Sequence, residues 1–166
     1  VGGGCERFGI RPDLVVMGKA IANGFPLAVV GGRAGVMEAV SRTWISSTLA
    51  TEAVSLAASR ATLAVMAEAQ VSAHIHRVGA RLLAGLQTLA AKHERLGVRA
   101  AGLPEMCFLE YRDEALSGRV ALACAERGLL FKRSAYNFVS LAHDEGVVDR
   151  TLDLLDDALV RVARVG

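Results

Sequence analysis

The first third of the chain alternates short, wholly apolar runs with glycine-containing breaks. Residues 14–17 (Leu-Val-Val-Met) and 27–30 (Leu-Ala-Val-Val) are apolar throughout, and a glycine follows each run. Short apolar runs bounded by turn residues are typical of buried strands in α/β sheets. We therefore predict two buried strands here, with a short helix after them over residues 34–41.

From about residue 51 the apolar positions recur at helical spacing, and this pattern continues to about residue 94. Thr51 stands where a helix N-cap is expected, because its hydroxyl can accept a hydrogen bond from a free backbone N–H group. The pattern predicts either one long helix or two helices separated by a break.

After Gly97 the pattern changes to shorter elements. The apolar runs predict four short strands, and the 3.6-residue spacing predicts two helices, of which Asp144 caps the second. The predicted strands cover residues 98–101, 106–111, 129–131 and 138–141, and the predicted helices cover residues 117–127 and 147–164. The chain thus changes from α/β to α+β, with a boundary expected within residues 66–96.

Composition narrows the function classes. The chain carries a formal net charge of +2 with scattered basic residues, which gives no indication of a nucleic-acid partner. No apolar run approaches the ~18–20 residues that a membrane span needs. Cys5, Cys107 and Cys124 lie far apart, so we expect reduced thiols and a cytoplasmic protein. His74 and His76 point in different directions on a helix, so no metal site is predicted.

Lysine is rare in this chain, which draws attention to its position. Only Lys19, Lys92 and Lys132 are lysines among the 19 basic Lys and Arg residues. Lys19 follows a predicted strand, and ligands of open α/β sheets bind beyond the carboxyl ends of strands. Gly18 would let a planar ligand approach the backbone. The local pattern alone is explained as well by a strand-end lysine that reaches solvent.

A longer motif surrounds Lys19. Residues 12–32 run PDLVVMGKAIANGFPLAVVGG, that is, Pro-Asp, an apolar strand, Gly-Lys, a small helix, Gly-x-Pro, a second strand and paired glycines. This segment closely resembles the lysine motif of the class III aminotransferases, which are fold type I enzymes that use pyridoxal 5′-phosphate (PLP). The resemblance implies that Lys19 is the catalytic residue and forms a Schiff base with PLP.

A second segment resembles another part of the same family. Ser46-Ser47-Thr48-Leu49, followed by an alanine-rich helix, is similar to the loop whose threonine binds the cofactor phosphate of the neighbouring subunit. The resemblance implies that Thr48 and Ser47 bind the cofactor and that the protein is a homodimer. Hydroxyls before a helix N-terminus suit an anion, although simple helix capping explains them as well. Ala50-Thr51 depart from the Gly or Asn that the family usually has there.

A third segment extends the resemblance to the end of the chain. Residues 135–143 (AYNFVSLAH) and 149–152 (DRTL) resemble the C-terminal domain of the aminomutase-like branch of the family. The resemblance implies the C-terminal part of a PLP-dependent transferase (fold type I) large domain, followed by a small α+β C-terminal domain. We predict that residues 1–70 belong to the large domain, residues 71–96 form a connecting helix and residues 97–166 form the small domain.

The activity implied is amino-group transfer from a small amino substrate to an oxo acceptor through a Lys19 internal aldimine. Two alternatives stay open: an aminomutase that shifts the amino group within one molecule, or racemisation through the same carbanion. A further alternative is a non-catalytic fragment. In the family the aspartate that pairs with the pyridine nitrogen precedes the lysine, and residues 1–18 contain only Asp13, which belongs to the motif itself. We therefore expect this segment alone to be inactive.

Overall fold

The computed structural model describes residues 3–68, 70–133 and 135–165. The chain divides into two compact units, Val1–Val71 and Ser72–Gly166. Each unit is described by itself. The first contains the lysine motif, and the second contains the larger apolar core. The assignment of residues 1–70, 71–96 and 97–166 to a large domain, a connecting helix and a small domain stays a prediction.

The first unit combines a two-stranded ribbon with short helices and one longer helix. Strands β1 and β2 are antiparallel, with Leu14 opposite Gly32 and Met17 opposite Val29. Short 3-10 helices span Lys19–Ile21 and Glu38–Arg42. The regular elements are α1 (Gly3–Arg7), β1 (Leu14–Met17), β2 (Val29–Gly32), α2 (Ala34–Met37) and α3 (Ala53–Glu68).

The two strands form as predicted, but the prediction that they are buried is wrong. Val16 is 72% exposed and Val30 is 53% exposed. Among the described residues the strands pair only with each other, and a two-stranded ribbon leaves much of both faces accessible. The second strand also begins later than expected, because Leu27 belongs to a turn in which its N–H donates to the Phe25 carbonyl at 2.9 Å.

Helix α3 is capped differently from the prediction. The side chain of Glu52, not that of Thr51, accepts the free N–H groups at its start: Val54 N–H donates to Oε1 at 2.8 Å and Ser55 N–H to Oε2 at 2.6 Å. A carboxylate with two oxygens can satisfy two such donors at once. Of the two alternatives for the long helical pattern, the structure shows two helices separated by a break, since α3 ends at Glu68 and Gln70 has a φ of +49°.

The second unit packs three helices with a three-stranded antiparallel sheet of order β3-β4-β5. Its core is formed by apolar side chains of all three helices and of the central strand, including Leu86, Leu109, Leu116 and Leu155. The elements are α4 (Val71–Lys92), a 3-10 helix (Glu94–Leu96), β3 (Arg99–Leu103), β4 (Met106–Glu110), α5 (Glu114–Ala125), β5 (Asn137–Phe138) and α6 (Glu145–Val165).

Caps define both helices predicted for the last third. Asp144 Oδ1 accepts the Val147 N–H at 2.8 Å, which confirms the predicted cap of α6. Helix α5 begins three residues earlier than predicted, because Asp113 Oδ1 accepts the Leu116 N–H at 2.7 Å. Residues 129–131 do not form the predicted strand, since the Leu129 N–H instead donates to the Cys124 carbonyl at the end of α5.

The three cysteines are free thiols. Cys107 and Cys124 are fully buried in the second unit, and burial raises the pKa of each thiol to about 11. Both therefore behave as small apolar core residues at neutral pH. Within the described ranges, no helix combines the length and the apolar character that crossing a membrane requires.

Candidate active site

Lys19 lies directly after β1, where the chain turns into a 3-10 helix. The residue is exposed and has a left-handed backbone conformation, with a φ of +50°. It lines an open hollow of about 550 Å³ whose other lining residues are Ala20, Asn23, Gly24, Phe25, Pro26 and Leu27. All of these come from one continuous stretch, so the lysine motif forms its own hollow.

Backbone hydrogen bonds between residues close in sequence fix the loop that carries Lys19. The Lys19 carbonyl accepts the N–H groups of Ala22 at 3.3 Å and Asn23 at 3.1 Å, and the Gly18 carbonyl accepts that of Ile21 at 3.3 Å. Ala22 is fully buried, and the 3-10 helix contacts α3. The loop is therefore anchored at Ala22 while Lys19 faces the open side.

The three lysines have different surroundings. Among the described residues, the Lys19 amine has neither a hydrogen bond nor an ion pair, whereas the Lys92 amine lies 2.5 Å from an Asp156 oxygen. Lys19 and Asn23 line the hollow together with the apolar Phe25, Pro26 and Leu27, and no Asp or Glu of the described ranges lines it. An unpaired primary amine beside an apolar wall is available to react with a carbonyl carbon.

Ser47 and Thr48 lie in the segment that precedes α3, at a turn in which the Ala50 N–H donates to the Ser47 carbonyl at 3.1 Å. Both residues are exposed, and neither hydroxyl forms a hydrogen bond within the described part of the chain. They do not line the hollow beside Lys19. The structure thus leaves these hydroxyls accessible and does not bring them to the lysine of the same chain.

Two residues of the hollow were not predicted from the sequence as site residues. Asn23 and Phe25 line it together with Lys19. The sequence motif predicts only a small helix followed by Gly-x-Pro at these positions. Asn and Gly are the residues that most readily adopt the left-handed conformation. Their occurrence side by side was the one signal in the sequence for a left-handed backbone at the site.

The fold defines the class of protein. The FumI protein of Sphingopyxis sp. MTA144, solved in its PLP internal aldimine form, superposes with a TM-score of 0.87 and 28% identity over 98% of this chain and 40% of that one. The fold is thus that of the C-terminal part of a fold type I PLP-dependent transferase. The family model "Aminotransferase class-III" matches residues 3–162, so the chain belongs to the class III aminotransferase family.

Curated relatives include two of the activities that the sequence left open, the aminomutase and the aminotransferase. A glutamate-1-semialdehyde 2,1-aminomutase of Thermomicrobium roseum is 34% identical, over 99% of this chain and 42% of its own length. The 5-aminovalerate aminotransferase DavT of Pseudomonas putida is 30% identical, over 95% and 40%. The chain therefore spans about two fifths of the length of the curated relatives it matches.

Proposed function

We propose that the protein is a PLP-dependent aminotransferase and that Lys19 is its cofactor-binding and catalytic lysine. The observation that carries the proposal is the unpaired Lys19 amine, which lies at the end of β1 in an open hollow formed by the class III lysine motif. The substrates are a small amino compound and an oxo acceptor. The three free cysteines also favour a cytoplasmic location.

The residues of this chain fit part of the cofactor. The Lys19 amine suits its aldehyde carbon, and Phe25, Pro26 and Leu27 offer apolar surface next to that amine. The exposed hydroxyls of Ser47 and Thr48 suit its phosphate. Because these hydroxyls do not line the hollow beside Lys19, we propose that they serve the site of the neighbouring subunit in a homodimer. Within the part of the chain that the structure describes, no carboxylate lines the hollow to pair with a pyridine nitrogen.

Lys19 has two tasks in the proposed reaction. Bound PLP supplies an electron-withdrawing ring that stabilises negative charge on a substrate carbon. Lys19 would hold the cofactor through its Nζ atom, and an amino substrate that took its place would leave Nζ free. The freed Nζ then accepts the proton from the substrate Cα as a general base, and returns a proton as a general acid. Its position in an open hollow leaves room for the substrate to approach.

An aminomutase is the second candidate function. The observation that favours it is the 34% identity to a protein named glutamate-1-semialdehyde 2,1-aminomutase. Both reactions need a lysine that moves a proton, and the described residues contain nothing that assigns the proton to one carbon rather than another. The two functions differ in whether an oxo acceptor is consumed.

The activity test uses the full-length protein with PLP. We expect the amino group of 5-aminovalerate to appear on an added 2-oxo acid, or glutamate-1-semialdehyde to be isomerised without an acceptor. Loss of the general base should lower the rate of Lys19→Ala by roughly 10²–10⁴-fold. Lys132→Ala, which changes an exposed lysine outside the hollow, is the matched control. A Lys19→Ala variant as active as the control would contradict the proposal.

A further inference from the structure

Three residues of the loop that carries Lys19 have left-handed backbone conformations. The φ angles are +50° for Lys19, +47° for Asn23 and +105° for Gly24. Glycine adopts this region freely and asparagine more readily than most residues, but for lysine it is unfavourable. A conformation of this kind persists only where the surrounding structure enforces it.

The hydrogen bonds of the loop show how the Lys19 conformation is enforced. The 3-10 helix Lys19–Ile21 ends at Ala22, and the N–H of Asn23 donates back to the Lys19 carbonyl at 3.1 Å. This is the geometry of a left-handed C-terminal cap, in which the residue after the cap must have a positive φ. The N–H of Asn23 therefore fixes the Lys19 carbonyl, and the positive φ of Asn23 directs the chain away from this cap.

The side chain of Asn23 forms no hydrogen bond in the described part of the chain that would explain why an asparagine is found at this position. Its amide forms no hydrogen bond within the described residues, although it is exposed and lines the hollow. The preceding residue, Ala22, is fully buried and fixes the middle of the loop. What Asn23 provides is its tolerance of the left-handed conformation, which an alanine at the same position would lack.

We propose that Asn23 is a positioning residue for Lys19. Its positive φ lets the chain continue past the cap without rotating the Ala22–Asn23 peptide, whose N–H donates to the Lys19 carbonyl. That hydrogen bond holds the Lys19 backbone in the conformation that places its side chain at the hollow. The proposal rests on the proposed function of Lys19. It concerns the orientation of the amine and not a contact between Asn23 and a ligand.

The test compares Asn23→Ala with Asn23→Gly in the full-length protein. PLP is added, and a short pulse of borohydride traps the fraction of bound PLP that is covalently attached to Lys19. We expect Asn23→Ala to lower the trapped fraction about fivefold, because alanine populates the left-handed region less. Asn23→Gly, which adopts that region freely, should stay within about twofold of the unmodified protein.

Two controls separate positioning from general damage. Gln70→Ala likewise places an alanine at an exposed residue with a positive φ, +49°, but outside the hollow. It should leave trapping unchanged. Total PLP binding should be alike for the two Asn23 variants, since a general fold defect would lower total binding, whereas loss of positioning lowers only the fraction of bound PLP that is trapped.

The proposal is overturned if Asn23→Ala traps PLP as well as the unmodified protein does. It is also overturned if Asn23→Gly is as impaired as Asn23→Ala, because the side chain itself would then be required. A lack of trapping at Lys19 in the unmodified protein is a different result, since it would contradict the proposed function.

Discussion

Asp156 on α6 lies between the side chains of Lys92 and His93 at the end of α4. One carboxylate oxygen lies 2.5 Å from the Lys92 amine, and the other lies 2.7 Å from Nε2 of His93, whose side chain is largely buried. Burial raises the pKa of Asp156, but the hydrogen bonds and charges of Lys92 and His93 outweigh this effect and hold the pKa below its ordinary value. The cluster joins the two helices.

This pKa shift predicts a pH-dependent contribution to stability. Because the pKa of Asp156 is lower in the folded state, its stabilisation is present at neutral pH and is lost as the pH falls through the folded-state pKa. Asp156→Asn should lower the unfolding free energy by about 1 kcal/mol at pH 7, and the difference should shrink towards pH 3. Urea unfolding at both pH values measures it.

The matched control for this prediction is Asp153→Asn. Asp153 lies on the same helix, is exposed and has no hydrogen bond or ion pair among the described residues. Its substitution should change the unfolding free energy little at either pH. A difference between Asp156→Asn and the unmodified protein that is constant from pH 7 to pH 3 would rule out the linkage.

The candidate site lysine was predictable only because a motif identified it. Lys19 could be selected because residues 12–32 resemble a family motif, since its local pattern fits an ordinary strand-end lysine. The cap at Glu52 and the left-handed conformation of Asn23 were not predicted. Both depend on whether backbone N–H groups find an acceptor in the folded chain, which residue type alone does not determine.

At the scale of elements, helix α4 packs closely on the turn between β3 and β4. A Cβ atom added at Gly79 would lie 1.9 Å from the Pro104 carbonyl oxygen and 2.5 Å from its carbon. Both are backbone atoms, so they cannot give way as a flexible side chain would. Gly79 is therefore required for the approach of the helix to the turn.

Gly79→Ala should lower the unfolding free energy by about 2 kcal/mol, because the overlap outweighs the helix propensity that alanine gains. Gly118→Ala on α5 is the matched control. The nearest atom to its added Cβ is the end of the flexible Arg133 side chain at 3.7 Å, so it should stabilise by about 0.5–1 kcal/mol. Urea unfolding measures both, and a stabilising Gly79→Ala would contradict the packing described.

The type of most elements followed from the spacing of apolar residues, whereas their bounds and burial did not. The amphipathic pattern with Asp144 gave α6 and its cap correctly. Residues 129–131 have a strand-like composition, but the Leu129 N–H donates to the Cys124 carbonyl at the C-terminal end of α5 instead of to a neighbouring strand. An apolar run such as residues 14–17 also does not determine whether the strand it forms is buried, because burial depends on which other elements pack against it.

At the scale of the whole molecule, large apolar side chains of the first unit are accessible. Trp44 is 92% exposed, and Ile45 and Val54 are 67% and 57% exposed. Extended apolar surfaces of this kind mark sites of contact in soluble proteins. Trp44 and Ile45 immediately precede Ser46–Thr48, so the loop proposed to serve a neighbouring subunit begins at such a surface.

Mixed dimers test whether Thr48 acts across subunits. Lys19→Ala alone and Thr48→Ala alone should each lose tight PLP attachment, because one lacks the amine and the other lacks a phosphate donor. If the two variants are mixed and exchange subunits, each mixed dimer has one site with an intact Lys19 and an intact Thr48. Borohydride trapping at low PLP concentration should then reappear.

Trapping that stays absent in the mixture, after subunit exchange has been verified by mass spectrometry, would show that Thr48 serves the lysine of its own chain. The resemblance of the three segments predicted the family and the fold of the chain. It could not predict whether Thr48 lies at the Lys19 of its own chain or at that of the neighbouring subunit, because the same loop sequence is compatible with both arrangements.

The central claim is that Lys19 holds the cofactor, and the small number of lysines makes it directly testable. Full-length protein is incubated with PLP, reduced with borohydride and digested, and each lysine-containing peptide is then weighed by mass spectrometry. We predict that the pyridoxyl group is found on Lys19 and not on Lys92, which is paired with Asp156, or on the exposed Lys132. A pyridoxyl group on Lys92 or Lys132 with Lys19 unmodified would contradict the account.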